Sequence, residues 1–189
     1  MTPSPQDRPQ AERHQAAIVD AIAAVFSLPP TSFNARQRGG SRALEKLIRS
    51  YHYWVEEYPV GKGFCPYDKP RCGYFRMTPR AFAAPETDEL RCEHTVPVRV
   101  LQDLLCERRG LEGKVSRQDV EQVMSLNEIV VVTLDEAQKL DGQGLKSQMP
   151  PGWAFAGANS HLARLSVALS LQEGELQGIR RIGTRSNAA

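Results

Sequence analysis

The 189-residue chain holds no run of about 18 apolar residues, which excludes a membrane-spanning helix. Nor does charge of one sign dominate. Lysine and arginine number 24 against 22 aspartates and glutamates, for a formal net charge of +2. Binding to nucleic acid by bulk charge is thereby excluded, which leaves room only for a local basic groove. Residues 1–13 are polar and lack the apolar core of a secretory signal, so a cytoplasmic location is expected. Cysteine is sparse, at Cys65, Cys72, Cys92 and Cys106. In a reducing compartment these suggest thiols or metal ligands before disulfides. Compositional bias is absent too: 41% hydrophobic and 24% charged residues argue against wholesale disorder, collagen or coiled coil. The length suits one domain with appendages, and no internal repeat is visible.

What is present has a clear order. Residues 1–10, with three prolines, read as a disordered lead-in. Residues 11–60 read as a helical region. Ile18, Ile22, Val25 and Phe26 predict a helix from about Ala11 to Ser27, stopped by Pro29 and Pro30. Leu44, Ile48, Tyr51 and Val55 predict a second over Ser41–Tyr58, with Leu47 and Trp54 widening its apolar stripe. The texture changes at Gly61, where residues 61–173 begin as an irregular stretch rich in proline and aromatics. A short strand is expected over Glu89–Glu93, then a helix started by Pro97, then a helix capped by Ser116. Ile129–Val132 is a continuous β-branched run and predicts a buried strand, followed by a short helix over Leu134–Leu140. Leu165, Val167, Leu169 and Leu171 alternate with smaller residues, which predicts a late strand, with a helix as the competing reading. Residues 174–189 read as a tail.

The stretch that carries chemistry is Cys92-Glu93-His94-Thr95-Val96-Pro97. A strand ends on a carboxylate and an imidazole, and a proline three residues on starts a helix. Neutral imidazole suits a general base near working pH, and a carboxylate beside it suits a hard divalent cation. Together with Val131-Val132-Thr133 and the helix that follows, this order resembles the ββα-metal (HNH-like) nuclease superfamily in its Glu-His-x-x-Pro form. The resemblance spans residues 90–141, with a long insertion between its halves. It implies an α+β fold in which N-terminal helices pack on a ββα-metal-type hairpin-helix core with a late extra strand.

The resemblance further implies a metal-dependent endonuclease acting on nucleic acid, DNA first. His94 would activate water, and Asn127 would orient His94. Glu93, with Glu136, Asp141 or Asp135, would hold Mg²⁺ or another divalent cation, and Arg164 or Arg76 would contact the phosphate. Ala137 departs from the pattern, because it stands where the family would place a histidine ligand. That departure also motivates a nuclease fold that binds without cutting. Arg76, Arg80 and Arg91 are the expected basic groove, with Arg99, Arg108 and Arg109 adding to the supply.

A reading from another class rests on the cysteines. Cys65, Cys72, Cys92 and Cys106 would hold a structural Zn²⁺, making the chain a non-catalytic, zinc-stabilised interaction module that binds a protein partner or a second copy of itself. Six residues separate Cys65 from Cys72, whereas paired zinc ligands are commonly about two to four apart. A purely structural helical protein is the third reading. His14, His52 and His161 are expected to be surface or partly buried residues rather than ligands, and Trp153 to anchor a loop.

Overall fold

The computed structural model describes residues 8–33, 39–52, 75–85, 88–109, 113–156 and 160–176. Its helices are α1 (Arg8–Val25), α2 (Gly39–Ser50), α3 (Pro79–Ala83), α4 (Val98–Glu107), α5 (Arg117–Met124), α6 (Leu134–Gly142) and α7 (Ala163–Leu169). Its strands are β1 (Arg76–Met77), β2 (Leu90–His94) and β3 (Ile129–Thr133). The fold is α+β. None of the described helices is long and apolar enough to cross a membrane.

β3 is the centre of the sheet because its side chains are apolar on both faces. The strand order is β1-β3-β2, with β1 parallel and β2 antiparallel to β3. Val130 and Val132 pack with Ala137 and Leu140 of α6 and with Leu162 and Leu165. Ile129 and Val131, on the opposite face, pack with Phe75, Met77, Ala81 and Leu90. A run without polar alternation is thus buried from both sides. The helix after β3 packs against both β2 and β3. A third core joins the helices: Ile22 and Phe26 of α1, Leu44 and Ile48 of α2, Leu101 and Leu105 of α4, and Val120 and Val123 of α5.

Local signals set several boundaries. Ser116 accepts a hydrogen bond from the Asp119 amide (3.1 Å) and caps α5. Pro97 sits one residue before α4, at its cap. At α6 a capping box closes the strand-to-helix turn. The Glu136 amide donates to Thr133 Oγ1 at 3.3 Å, while Glu136 Oε2 accepts from the Thr133 amide at 2.9 Å and from its hydroxyl at 3.2 Å. The same oxygen accepts from Thr78 Oγ1 at 2.7 Å, and Thr78 in turn caps α3.

Four expectations are corrected. The helix α1 begins at Arg8, within the stretch read as a disordered lead-in. α2 starts at Gly39, and its expected extension through Trp54 and Val55 lies outside the described residues. The late strand is the helix α7, the competing reading. Leu162, Leu165 and Leu169 recur at i, i+3 and i+7 toward the core, and Val167, apolar but 56% exposed, points away. α7 ends at Ser170, the one non-glycine residue with positive φ among those described (55°). The third strand is instead β1, two residues long and so too short to leave a period.

Glu136 is 3% exposed and joins the starts of two helices. Glu136→Ala is expected to cost about 2–4 kcal/mol, more than an isolated cap, because Thr78 and Thr133 lose a charged acceptor in a buried setting. Urea unfolding of both proteins checks this. A loss under about 1 kcal/mol would show that the carboxylate is an ordinary cap.

Candidate functional site

β2 ends at His94, opposite the first residue of β3. Alternation along the strand puts Glu93, opposite Val130, on the face that α6 and α7 cover, and His94, opposite Ile129, on the other. Because the strand stops there, both side chains line one cleft of about 340 Å³. Its other walls come from Arg49 of α2, Arg99 of α4, Asp141 of α6, and Lys146 and Ser147 beyond it. Arg91 and the buried Arg164 complete its charged lining.

His94 is held from behind by Asn127. His94 Nδ1 lies 2.9 Å from Asn127 Oδ1, and Asn127 Nδ2 donates to the Ile48 carbonyl at 2.9 Å. The second bond fixes which way the amide faces. Oδ1 can only accept, so Nδ1 carries the ring proton and Nε2 carries the lone pair. His52 Nε2 lies 2.7 Å from the Asn127 carbonyl oxygen and must likewise bear a proton. Burial, then the neighbouring His52, lowers the His94 pKa to about 3, with the Asn127 bond pulling the other way. Burial lowers His52 to about 4, against its bond to Asn127. Both rings are neutral at pH 7.

The two residues expected to serve cation and phosphate meet each other. Arg164, 1% exposed, donates from Nη2 to Glu93 Oε2 at 2.8 Å. Its Nη1 donates to the carbonyls of Leu145 (2.9 Å) and Lys146 (3.3 Å), and its Nε–H is buried without a hydrogen-bond partner among the described residues. The first turn of α7 delivers this guanidinium, so the residue read as lying before a strand reaches the cleft through a helix.

The remaining expected residues divide. Asp141 lines the cleft and is held by Lys146 at 3.1 Å. Glu136 does not line the cleft: its Oε2 accepts hydrogen bonds from Thr78 and Thr133. Asp135 is exposed beside Arg80. Arg76 belongs to a separate cluster, where Glu128 Oε1 lies 2.5 Å from its Nη2 and Glu128 Oε2 lies 3.2 Å from His161 Nε2. Of the three arginines expected to form the groove, Arg91 alone lines the cleft; Arg49, Arg99 and Lys146 supply the rest. No local sequence signal marks them, because their convergence is set by how α2, α4 and the α6–α7 connection pack. Arg108 and Arg109 lie instead over Phe155 and over Phe26 and Phe33. Trp153 donates to the Ser160 carbonyl at 2.7 Å and anchors a loop, as expected.

Among the described residues, the donor set does not fit a resident divalent ion. Glu93 and Asp141 are the described carboxylates lining the cleft, and each is ion-paired, Glu93 with the buried Arg164 and Asp141 with the exposed Lys146. Among the described residues, no three His, Cys, Asp or Glu side chains gather as a metal site. Cys65 and Cys72 lie outside the described residues, Cys92 packs against the Phe75 cluster, and Cys106 is exposed on α4. Comparison with family models, curated proteins and solved structures gives no match.

The neutral histidines set a pH dependence of stability. Their folded pKa values, about 3 and about 4, lie below the ordinary 6.5, so the unfolded chain binds more protons. Their contribution is complete above pH 6.5 and is lost as pH falls below it, by up to about 1.4 kcal/mol per histidine per pH unit. Urea unfolding between about pH 7.5 and 5 is expected to show this fall, and His94→Gln to show a shallower one. Equal slopes in the two proteins would mean that His94 is not held neutral.

Proposed function

We propose that the chain is an endonuclease that hydrolyses phosphodiester bonds in nucleic acid, with His94 as general base. The observation that supports this most is the bracing of His94 by Asn127, which makes the buried Nε2 its basic atom, in the wall of a cleft edged by Arg49, Arg91, Arg99 and Lys146. Each of these four cations pairs with a solvent-exposed carboxylate: Glu45, Glu89, Asp103 and Asp141 respectively. Such pairs contribute about 0–1 kcal/mol, so a backbone phosphate displaces them at little cost. An imidazole with pKa about 3 is a weak base. A phosphate anion entering the cleft raises it, because an adjacent opposite charge favours the protonated ring. His94 Nε2 then takes the proton of the attacking water while the water oxygen bonds to phosphorus, the P–O ester bond opposite it breaks, and the leaving alkoxide takes a proton from solvent. The neighbouring guanidiniums hold the charge that grows on the non-bridging oxygens.

The resemblance implies Mg²⁺, but the carboxylates present do not fit a resident ion, and no step is derived through one. A second reading, binding without cutting, is favoured by the Glu93–Arg164 pair. That pair occupies the carboxylate beside His94 with a buried guanidinium.

Plasmid and single-stranded DNA, incubated with the wild type and with His94→Ala in Mg²⁺, Mn²⁺ or EDTA, separate these readings. The expected result is cleavage that falls at least about 100-fold in His94→Ala. Salt-sensitive binding with no cleavage by the folded wild type would establish the second reading. Undiminished cleavage by His94→Ala would overturn the first.

A further inference from the structure

A second cavity, of about 390 Å³, adjoins the His94 cleft. α2 and α4 form its two sides, and Arg49, Val98, Arg99 and Ser147 line both cavities. The two cavities therefore share a wall that carries two guanidiniums, and the second lies within the usual ligand-site range of about 300–1,000 Å³. Phe33 and the buried Leu44 give this pocket apolar surface. Gly40 allows the Phe33 ring to sit there, since a Cβ at that position would meet the ring at 2.8 Å. Glu45, Gln102 and Asp103 give it a polar rim.

We propose that this pocket receives a nucleobase next to the phosphate held at the cleft, so that the ligand is a single strand lying along both cavities. This rests on the reading of the His94 cleft as a phosphodiester site. The guanidiniums on the shared wall require a ligand that is anionic at that point. The pocket beyond asks for a flat apolar body with a hydrogen-bonding edge, and a base in a duplex would have to leave its stack to enter. Glu45 now holds Arg49 at 3.1 Å, and Asp103 holds Arg99 at 2.9 Å. When a phosphate takes the two arginines, both carboxylates are released. They can only accept hydrogen bonds, so they match bases with an exocyclic amino group, cytosine and adenine before thymine.

The test is binding of labelled single strands and of a duplex of the same length, in EDTA and in Ca²⁺, by the wild type, Cys106→Trp and Glu45→Trp. The two substitutions fill the pocket from opposite sides, and Cys106 is exposed, so its indole meets solvent rather than core. Circular dichroism and thermal melting verify folding. Both variants are expected to bind single strands about tenfold more weakly, and the wild type to prefer oligo(dC) to oligo(dT) and either to duplex. Hydrolysis of bis(4-nitrophenyl) phosphate by the wild type and by His94→Ala reads the cleft alone. Strand affinity unchanged in both folded tryptophan variants overturns the base pocket, whether or not the small diester is cleaved. Tryptophan-sensitive strand binding by a wild type that leaves the small diester intact supports the pocket and overturns cleavage. A wild type that binds no strand overturns the base pocket, and one that also leaves the small diester intact overturns both.

Discussion

Asn127 is 4% exposed, and each of its polar groups holds a different part of the molecule. Its backbone amide closes the turn after α5 on the Met124 carbonyl, and its backbone carbonyl takes the His52 proton. Its side-chain amide donates to the end of α2 and accepts from His94. A buried amide can be satisfied in this way only when helix, turn and strand end all stand in register. The helical core and the sheet are therefore aligned at the same point that determines which nitrogen of His94 is basic. The position of α2 follows from this alignment, and with it the Arg49 wall of the cleft.

Around that fixed point the charges fall into two kinds. Glu93 and Arg164 form a pair whose guanidinium is sealed from solvent and whose carboxylate is half-buried, and removing either partner would strand the other. The cations at the rim are held by exposed partners and are open to exchange. The cleft thus combines one largely buried ion pair with cations whose partners are exposed.

The elements legible in the sequence are those whose signal is local. The β-branched run of β3, the Ser116 cap and the Glu-His-x-x-Pro end of β2 each depend on neighbours within a few residues. β1 was invisible because two residues carry no period. The α7 segment is ambiguous in sequence because Leu165, Val167, Leu169 and Leu171 satisfy a strand pattern as well as a helical one, and only the packing of Leu162 and Leu165 decides between them. The His94–Asn127 contact could be expected from the resemblance, whereas nothing near Glu93 announces Arg164, far along the chain. The same holds for Glu136, whose charge reads as a metal ligand until the threonine before it and Thr78 are seen to use it.

The antiparallel partners β2 and β3 are not joined by a tight turn. Residues 95–128, with α4 and α5, run between them, and those helices belong to the largest core. β1 pairs with β3 across a still longer stretch. The sheet therefore cannot zip up from a local hairpin. Its loop-closure entropy has to be met before any strand pairing is gained, and helix formation with docking of α4 and α5 shortens the gap that remains. Folding speed in this chain is thus governed by sequence separation. Substitutions in the α4–α5 excursion would act on the rate at which the His94 end of β2 is assembled, even where they leave the finished cleft untouched.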